Sequence, residues 1–250
     1  MIGAVEKYLL DKISSEGSIH ITLIDPEKVT PSQASAIARK ARASGTSAIM
    51  IGGSTFVSAK HLDDIVKTVK RAVDIPVILF PNNVTSISRY ADAIWFMSLL
   101  NSLDPYFIVG AQVLGAPLIK RYHLEPIPMG YIIVGEGGTA SIVGKAVPIP
   151  YDKPEVAVAH ALAGQYLGMR FIYLEAGSGA KKPVPKEMIR AVRESIDVPL
   201  IVGGGIRTRA QALAAASAGA DIIVTGNVVE NGQVRDKVSE IVEGLKSYRT

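Results

Sequence analysis

Arg170-Phe171-Ile172-Tyr173-Leu174-Glu175-Ala176-Gly177-Ser178-Gly179 is an apolar run that ends in one carboxylate and then in a loop with almost no side-chain bulk. The run reads as a buried strand. A glycine-rich loop after a strand lets backbone N–H groups close on an anion, because no Cβ blocks the approach. A tight turn uses the same residues, so one such loop decides little. Two more follow, Val202-Gly203-Gly204-Gly205 and Val224-Thr225-Gly226-Asn227. Glycine-rich ends on three successive strands are expected to form one phosphate site.

The same strand-then-loop unit recurs along the chain. Apolar runs at 20–24, 48–51, 76–80, 93–101, 127–134, 200–202 and 222–225 read as further strands. Segments with apolar residues three and four apart, such as Leu62, Ile65, Val66, Val69 and Val73, read as helices between them. Thr30-Pro31 opens one such helix, with a cap followed by proline at the first helical position. Near-continuous apolar strands imply a parallel sheet covered on both faces. Strand and helix repeated eight times over 250 residues fit a single (β/α)₈ TIM-type barrel spanning 1–250. An open doubly wound sheet competes, but it usually carries a dinucleotide fingerprint, and none is seen.

Two departures from a regular barrel are expected. Gly3 to Ser15 has helical spacing and forms an extra helix before the first strand. Val84 to Asp92 is too short for a full crossover, which needs a dozen or more residues. The helix between strands 3 and 4 is therefore expected to be lost or reduced to a turn. Asp104 to Tyr122 reads as one long apolar helix, Gly135 to Pro150 as a loop, and Asp236 to Tyr248 as the closing helix.

Composition narrows the function. The chain is 48% hydrophobic and 20% charged, with a formal net charge of +4 and no cysteine. Disulfides and thiolate metal sites are excluded. The basic excess is dispersed among few aromatics, which speaks against nucleic-acid binding. No apolar stretch has the length of a membrane span, and no signal-peptide pattern opens the chain, so a cytoplasmic protein is expected.

In such a barrel the site lies at the C-terminal ends of the strands. Asp25 and Ser54 stand at adjacent strand ends, offering oxygen donors of the kind a hard cation such as Mg²⁺ takes; for Ser54 a helix cap is the competing reading. Glu175 is open to three roles: general base, orienter of a hydroxyl, or buried partner of Arg170 or Lys181. The four histidines fall at a strand start or on helices and read as structural or surface residues. Without cysteine or a placed histidine, a nucleophilic triad is not expected. Lys28, Lys181 and Lys182 are within reach of phosphates. Trp95 to Leu100 and the helix after them are unusually apolar. With the preceding helix missing, a groove for a long hydrocarbon is expected there.

Several motifs together, Asp25-Pro26-Glu27-Lys28, Ile51-Gly52-Gly53-Ser54, Ser98-Leu99-Leu100-Asn101-Ser102, Tyr173 to Gly179, Gly203-Gly204-Gly205-Ile206-Arg207 and Thr225-Gly226-Asn227, closely resemble the geranylgeranylglyceryl phosphate synthase family. The resemblance implies transfer of a geranylgeranyl group from its diphosphate to the 3-hydroxyl of sn-glycerol 1-phosphate, the first ether-forming step of archaeal membrane lipids. It implies that Asp25 and Ser54 bind Mg²⁺. It also implies that Tyr173, Leu174, Glu175, Ala176, Gly177, Ser178, Gly179, Gly204, Gly205, Gly226 and Asn227 hold glycerol 1-phosphate, with Glu175 on its hydroxyls. Homo-oligomers are expected, and contact with membranes only through lipid substrate and product. A heptaprenyl counterpart of the family and a phosphate-sugar isomerase or lyase on the same barrel are the competing enzymes.

Overall fold

The computed structural model describes residues 2–53, 57–226 and 234–247. Eight parallel strands close into a barrel in sequence order: β1 (Ile19–Ile24), β2 (Ala48–Ile51), β3 (Val77–Leu79), β4 (Ala93–Leu99), β5 (Glu125–Ile133), β6 (Phe171–Glu175), β7 (Leu200–Gly203) and β8 (Ile222–Thr225). Strand β1 pairs with both β2 and β8, which closes the ring. Every residue of β2, β3, β6, β7 and β8 is buried, as the continuous apolar runs require.

Helices α2 (Pro31–Ala43), α3 (Ala59–Lys70), α4 (Ala111–Tyr122), α6 (Pro154–Tyr166), α7 (Lys186–Ser195), α8 (Arg209–Ser217) and α9 (Val234–Lys246) follow the strands, with a short α5 (Gly138–Val143) after β5. Thr30 and Thr208 start α2 and α8 with capping boxes, each closed by a glutamine three residues on. Alternate strand residues divide the core. Ile21, Met50, Ile78, Trp95, Met129, Phe171 and Ile201 fill the barrel, while Ile49, Val77, Ile172, Leu174 and Val202 pack outward against helices.

Both expected departures are present. The extra N-terminal helix is α1 (Ala4–Glu16), and it lies at the N-terminal ends of the strands. Its N-cap, Gly3, has no side chain to satisfy the free amides. The carboxylate of Glu125, the first residue of β5, does so from outside, accepting from Val5 N at 2.8 Å and Glu6 N at 2.7 Å. Buried Glu6 in turn receives both arms of the Arg170 guanidinium, at 2.6 and 2.7 Å.

Between β3 and β4, residues 80–92 hold turns and no helix. Only two residue pairs join these strands, against seven between β4 and β5. Asp92 reinforces that short seam: its carboxylate accepts from Val77 N at 2.8 Å and from Lys70 Nζ at 2.6 Å.

Two expectations need correction, and a third runs past the described residues. The Asp104–Tyr122 helix is not uniform, because Tyr106–Gly110 is a π-helical turn that passes into α4. The Gln112 side-chain amide donates back to Met97 O, and Ser98 Oγ donates to Ile108 O at 2.7 Å, so β4 holds the wider turn in place. The Gly135–Pro150 loop contains α5. The last helix ends at Lys246, and Tyr248 lies outside the described residues.

His20 is fully buried in β1, its Nδ1 at 3.0 Å from Thr46 Oγ1 and its Nε2 at 2.9 Å from Thr225 Oγ1. Burial penalises the imidazolium and lowers its pKa from 6.5 to about 3. The folded ring is neutral, whereas the unfolded chain takes a proton below pH 6.5, so stability is intact above that pH and is lost as pH falls toward 3. The full effect amounts to about 1.4 kcal/mol per pH unit within that window. Urea unfolding at pH 7 and pH 4.5 should show a steeper loss for the wild type than for His20→Gln; equal losses would contradict a neutral buried ring.

Candidate active site

The C-terminal ends of the strands surround a cavity of about 350 Å³. Asp25 and Lys28 after β1, Gly52 and Gly53 after β2, Glu175, Ser178 and Gly179 at β6, Gly204, Gly205 and Arg207 after β7, and Thr225 and Gly226 at β8 all line it. The structure thus brings most of the sequence-predicted residues to one space. Ser54 and Asn227 lie outside the described residues. Leu174 and Ala176 do not face the cavity; both are buried in the layer between barrel and helices.

Glycine is required where the loops meet. Gly204 has φ +82°, and a Cβ there would come within 2.6 Å of Glu175 Oε1 and 2.7 Å of Gly177 N. Gly205 has φ +74°, with a Cβ position 2.7 Å from Pro183 N. Gly177, at φ +104°, packs its Cα against the Gly137–Gly138 peptide of the loop after β5, whose Cβ-bearing version has no room. Three loops therefore interlock by backbone alone. Among the described residues, the N–H groups of Gly204 and Gly205 donate to no acceptor, although Gly205 is buried. Buried amides are normally paired, and the buried Gly205 amide, with that of half-buried Gly204 beside it, is placed as the donors of an anion cradle are. The first turn of α8 is partly occupied from within the protein. Its Gln211 amide is taken by Thr208 Oγ1 at 3.3 Å, and Gln211 Oε1 accepts from Arg207 N at 2.8 Å.

Glu175 is 7% exposed and accepts from Gly177 N at 2.7 Å. Burial raises its pKa, opposed by hydrogen bonds from the Tyr173 hydroxyl and the Gly177 amide. Arg170 is not its partner, being committed to Glu6 on the opposite end of the barrel. Tyr173 and Tyr131 are pushed well above the usual phenol range by burial, and then by the nearby Glu175 charge, so both stay protonated.

Sequence reasoning missed the aromatic setting of this carboxylate. Phe80, Tyr131 and Tyr173 meet in the mouth with ring centroids 5.2 to 5.9 Å apart. The signal was present in register, since Tyr131 on β5 stands opposite Tyr173 on β6.

Asp25 is not a helix cap, because Thr30 fills that role for α2. Its Oδ1 accepts from Glu27 N at 3.1 Å, and Oδ2 lies 3.8 Å from Lys28 Nζ. A Cβ on Gly53 would sit 2.5 Å from Asp25 Oδ1. The missing side chain leaves the carboxylate open to the cavity, and an oxygen donor in such a cradle suits a hard divalent cation.

From this polar mouth the cavity continues outward over apolar walls. Ile94 and Phe96 of β4 form one side, Ala111, Gly115 and Ile119 of α4 another, and Val84 and Ile87 of the helix-free segment a third. The expected groove is there, and the lost helix is what opens it.

An anion cradle and a carboxylate at one end of an apolar groove define a TIM-type barrel for an amphiphilic phosphate. The chain belongs to the PcrB family, whose model matches residues 11–245. It is 53% identical over 247 residues to the geranylgeranylglyceryl phosphate synthase of Thermofilum pendens, covering 98% of this chain and 96% of that one. The synthase of Thermococcus gammatolerans is 55% identical over 249 residues, covering 98% of each. Among solved structures, the (S)-3-O-geranylgeranylglyceryl phosphate synthase of Thermoplasma acidophilum, in complex with sn-glycerol-1-phosphate, superposes with a TM-score of 0.94 at 42% identity, over 99% of this chain and 100% of that one. A thiamine phosphate pyrophosphorylase of Pyrococcus furiosus, at 15% identity and TM-score 0.63, shares the fold.

Replacing Gly204 with alanine should misplace Glu175 and Gly177 together. Overpacking of this kind costs about 1–3 kcal/mol, and the left-handed backbone adds about 1–2 kcal/mol more. Chemical denaturation should show that loss; a variant as stable as wild type would mean that the loops are not interlocked.

Proposed function

We propose that the protein is a prenyltransferase joining the geranylgeranyl group of geranylgeranyl diphosphate to the 3-hydroxyl of sn-glycerol 1-phosphate, in archaeal-type phospholipid synthesis. The observation that carries this reading is one cavity with two ends: glycine amides with no partner among the described residues beside a buried carboxylate, and an apolar groove leading away from them. An isomerase or lyase of sugar phosphates has no use for the second end. A heptaprenyl donor would differ only in the length of chain the groove takes.

In this reading the Gly204 and Gly205 amides hold the phosphate of glycerol 1-phosphate, and Glu175 holds its hydroxyls. The prenyl chain lies in the groove with its diphosphate near Asp25 and Lys28. The C1–O bond to diphosphate breaks with its electron pair leaving on the diphosphate. A lone pair of the glycerol 3-oxygen forms the new C1–O ether bond. The proton of that hydroxyl passes to Glu175 and then to solvent. Attack on a forming allylic cation needs little nucleophilicity, so positioning supplies much of the rate. Burial raises the Glu175 pKa and so its affinity for that proton.

Asp25, joined by Ser54 from outside the described residues, would hold Mg²⁺, which when bound would neutralise charge on a departing diphosphate. No described helix is long and apolar enough to cross a membrane, which supports work in the cytoplasm with lipid contact through substrate and product alone. Exposed Leu103, Val109, Val113 and Leu114 supply a surface for the expected homo-oligomer.

Diphosphate release should require geranylgeranyl diphosphate and sn-glycerol 1-phosphate, not its 3-phosphate enantiomer, and should be abolished by EDTA and by Asp25→Ala. Binding of glycerol phosphate without release of diphosphate would instead point to an isomerase or a sensor. Glu175→Gln should lower kcat at least tenfold. Wild-type kcat should fall on acidification as Glu175 becomes protonated, at a pH above the ordinary carboxylate pKa of 4.5. Near wild-type turnover in Glu175→Gln would remove the carboxylate from proton transfer.

A further inference from the structure

Among the described residues that line the cavity, two carry a positive charge, Lys28 and Arg207. Lys28 follows β1 and lies 3.8 Å from Asp25 Oδ2. Arg207 follows the glycine pair of the β7 loop by two residues and is half-buried. Its position is fixed twice. The backbone N–H donates to Gln211 Oε1 at 2.8 Å, and the guanidinium Nη2 donates to Ala180 O, in the loop after β6, at 2.7 Å. The rest of the guanidinium fork has no acceptor and no carboxylate partner among the described residues.

Charge balance at the glycine cradle calls for such a cation. A Cβ on Gly204 would sit 2.6 Å from Glu175 Oε1, so a phosphate on the Gly204 and Gly205 amides stands close to a carboxylate. Amides are neutral dipoles and leave the two like charges to repel each other. Partial burial weakens the screening that water would give. A guanidinium lining the same space offsets that repulsion, and its planar fork matches phosphate oxygens.

We propose that Arg207 is the countercharge for the phosphate of glycerol 1-phosphate, and so favours a charged acceptor over an uncharged polyol. The inference rests on the reading that the glycine amides hold this phosphate, and it adds the side chain that selects for charge there. The phosphate keeps its charge throughout the reaction, so Arg207 stabilises ground state and transition state alike. Its loss raises KM for glycerol phosphate and leaves kcat nearly unchanged.

Steady-state kinetics of the full chain, with inorganic phosphate as a competitor of glycerol phosphate, test this. Arg207→Gln offers an uncharged N–H donor in place of the guanidinium, whereas Arg207→Lys keeps the charge. In Arg207→Gln, KM for glycerol phosphate and the inhibition constant of inorganic phosphate should each rise at least tenfold. The kcat and the KM for geranylgeranyl diphosphate should stay within threefold of wild type. Arg207→Lys should show no more than a third of either rise. Equal rises in the two variants would make Arg207 a mere brace for the Ala180 loop and overturn the countercharge. A KM within twofold of wild type in Arg207→Gln would overturn it as well, as would a raised KM with an unchanged inhibition constant for phosphate. Isothermal titration with glycerol phosphate separates this inference from the reaction. A wild type that binds it at least tenfold more tightly than Arg207→Gln but releases no diphosphate would keep the countercharge and reject prenyl transfer. Binding of equal strength in both proteins would reject the countercharge whatever the activity.

Discussion

The site depends on how closely the backbones of three loops approach each other. Gly204 lies against Glu175 Oε1 and the Gly177 peptide, and Gly177 lies against the Gly137–Gly138 peptide. A Cβ at Gly204 or Gly177 would stand 2.6 to 2.8 Å from the facing loop, well inside ordinary contact of 3.4 Å or more, so the loops could not keep this approach. With no Cβ there, the carboxylate is held by the Gly177 amide at 2.7 Å, with the Tyr173 ring beside it on the same strand. The same contacts fix the loop after β7, leaving the Gly204 and Gly205 amides without a partner among the described residues. One constraint thus sets both the anion cradle and the group beside it. The rest of the barrel supplies the rigid strand ends on which such tolerances can be held.

The second constraint is a deletion. A regular barrel would cover β3 and β4 with a helix. Here a short segment of turns takes its place, and Ile94 and Phe96 of β4 look across the groove at α4. Leaving that space uncovered costs hydrophobic burial, and the chain offsets it locally. Asp92 and Lys70 tie the short β3–β4 seam, while the π-helical turn held by Ser98 and Gln112 sets α4 at its distance from the sheet. A groove that is dry when occupied is an economical place to put a hydrocarbon chain, because the ligand restores the burial that the missing helix would have given.

Much of the fold was legible because its signals are local. Strand and helix periods, the Thr30-Pro31 start and the short Val84–Asp92 gap each fix structure without reference to distant residues. The glycine-rich strand ends marked the site for the same reason. What was not legible depends on partners far apart in the chain. Arg170 precedes β6 by one residue and was a candidate partner for Glu175, yet strand direction carries it to the other end of the barrel, where Glu6 of the N-terminal helix meets it. The π-helical turn is a packing response to β4 and has no signature of its own. Leu174 and Ala176 fell inside a motif, but the two-residue alternation of a strand turns them away from the cavity that Tyr173 and Glu175 face. The Phe80–Tyr131–Tyr173 cluster emerged only once the barrel brought three strands together.

The most direct test is a crystal structure of the protein with sn-glycerol 1-phosphate bound. The account places the phosphate within hydrogen-bonding distance of the Gly204 and Gly205 amides and the free hydroxyls on Glu175, with the 3-hydroxyl directed toward the mouth of the apolar groove. A phosphate bound instead beside Asp25 and Lys28, with Glu175 untouched, would contradict it, because acceptor and donor would then have exchanged ends of the cavity.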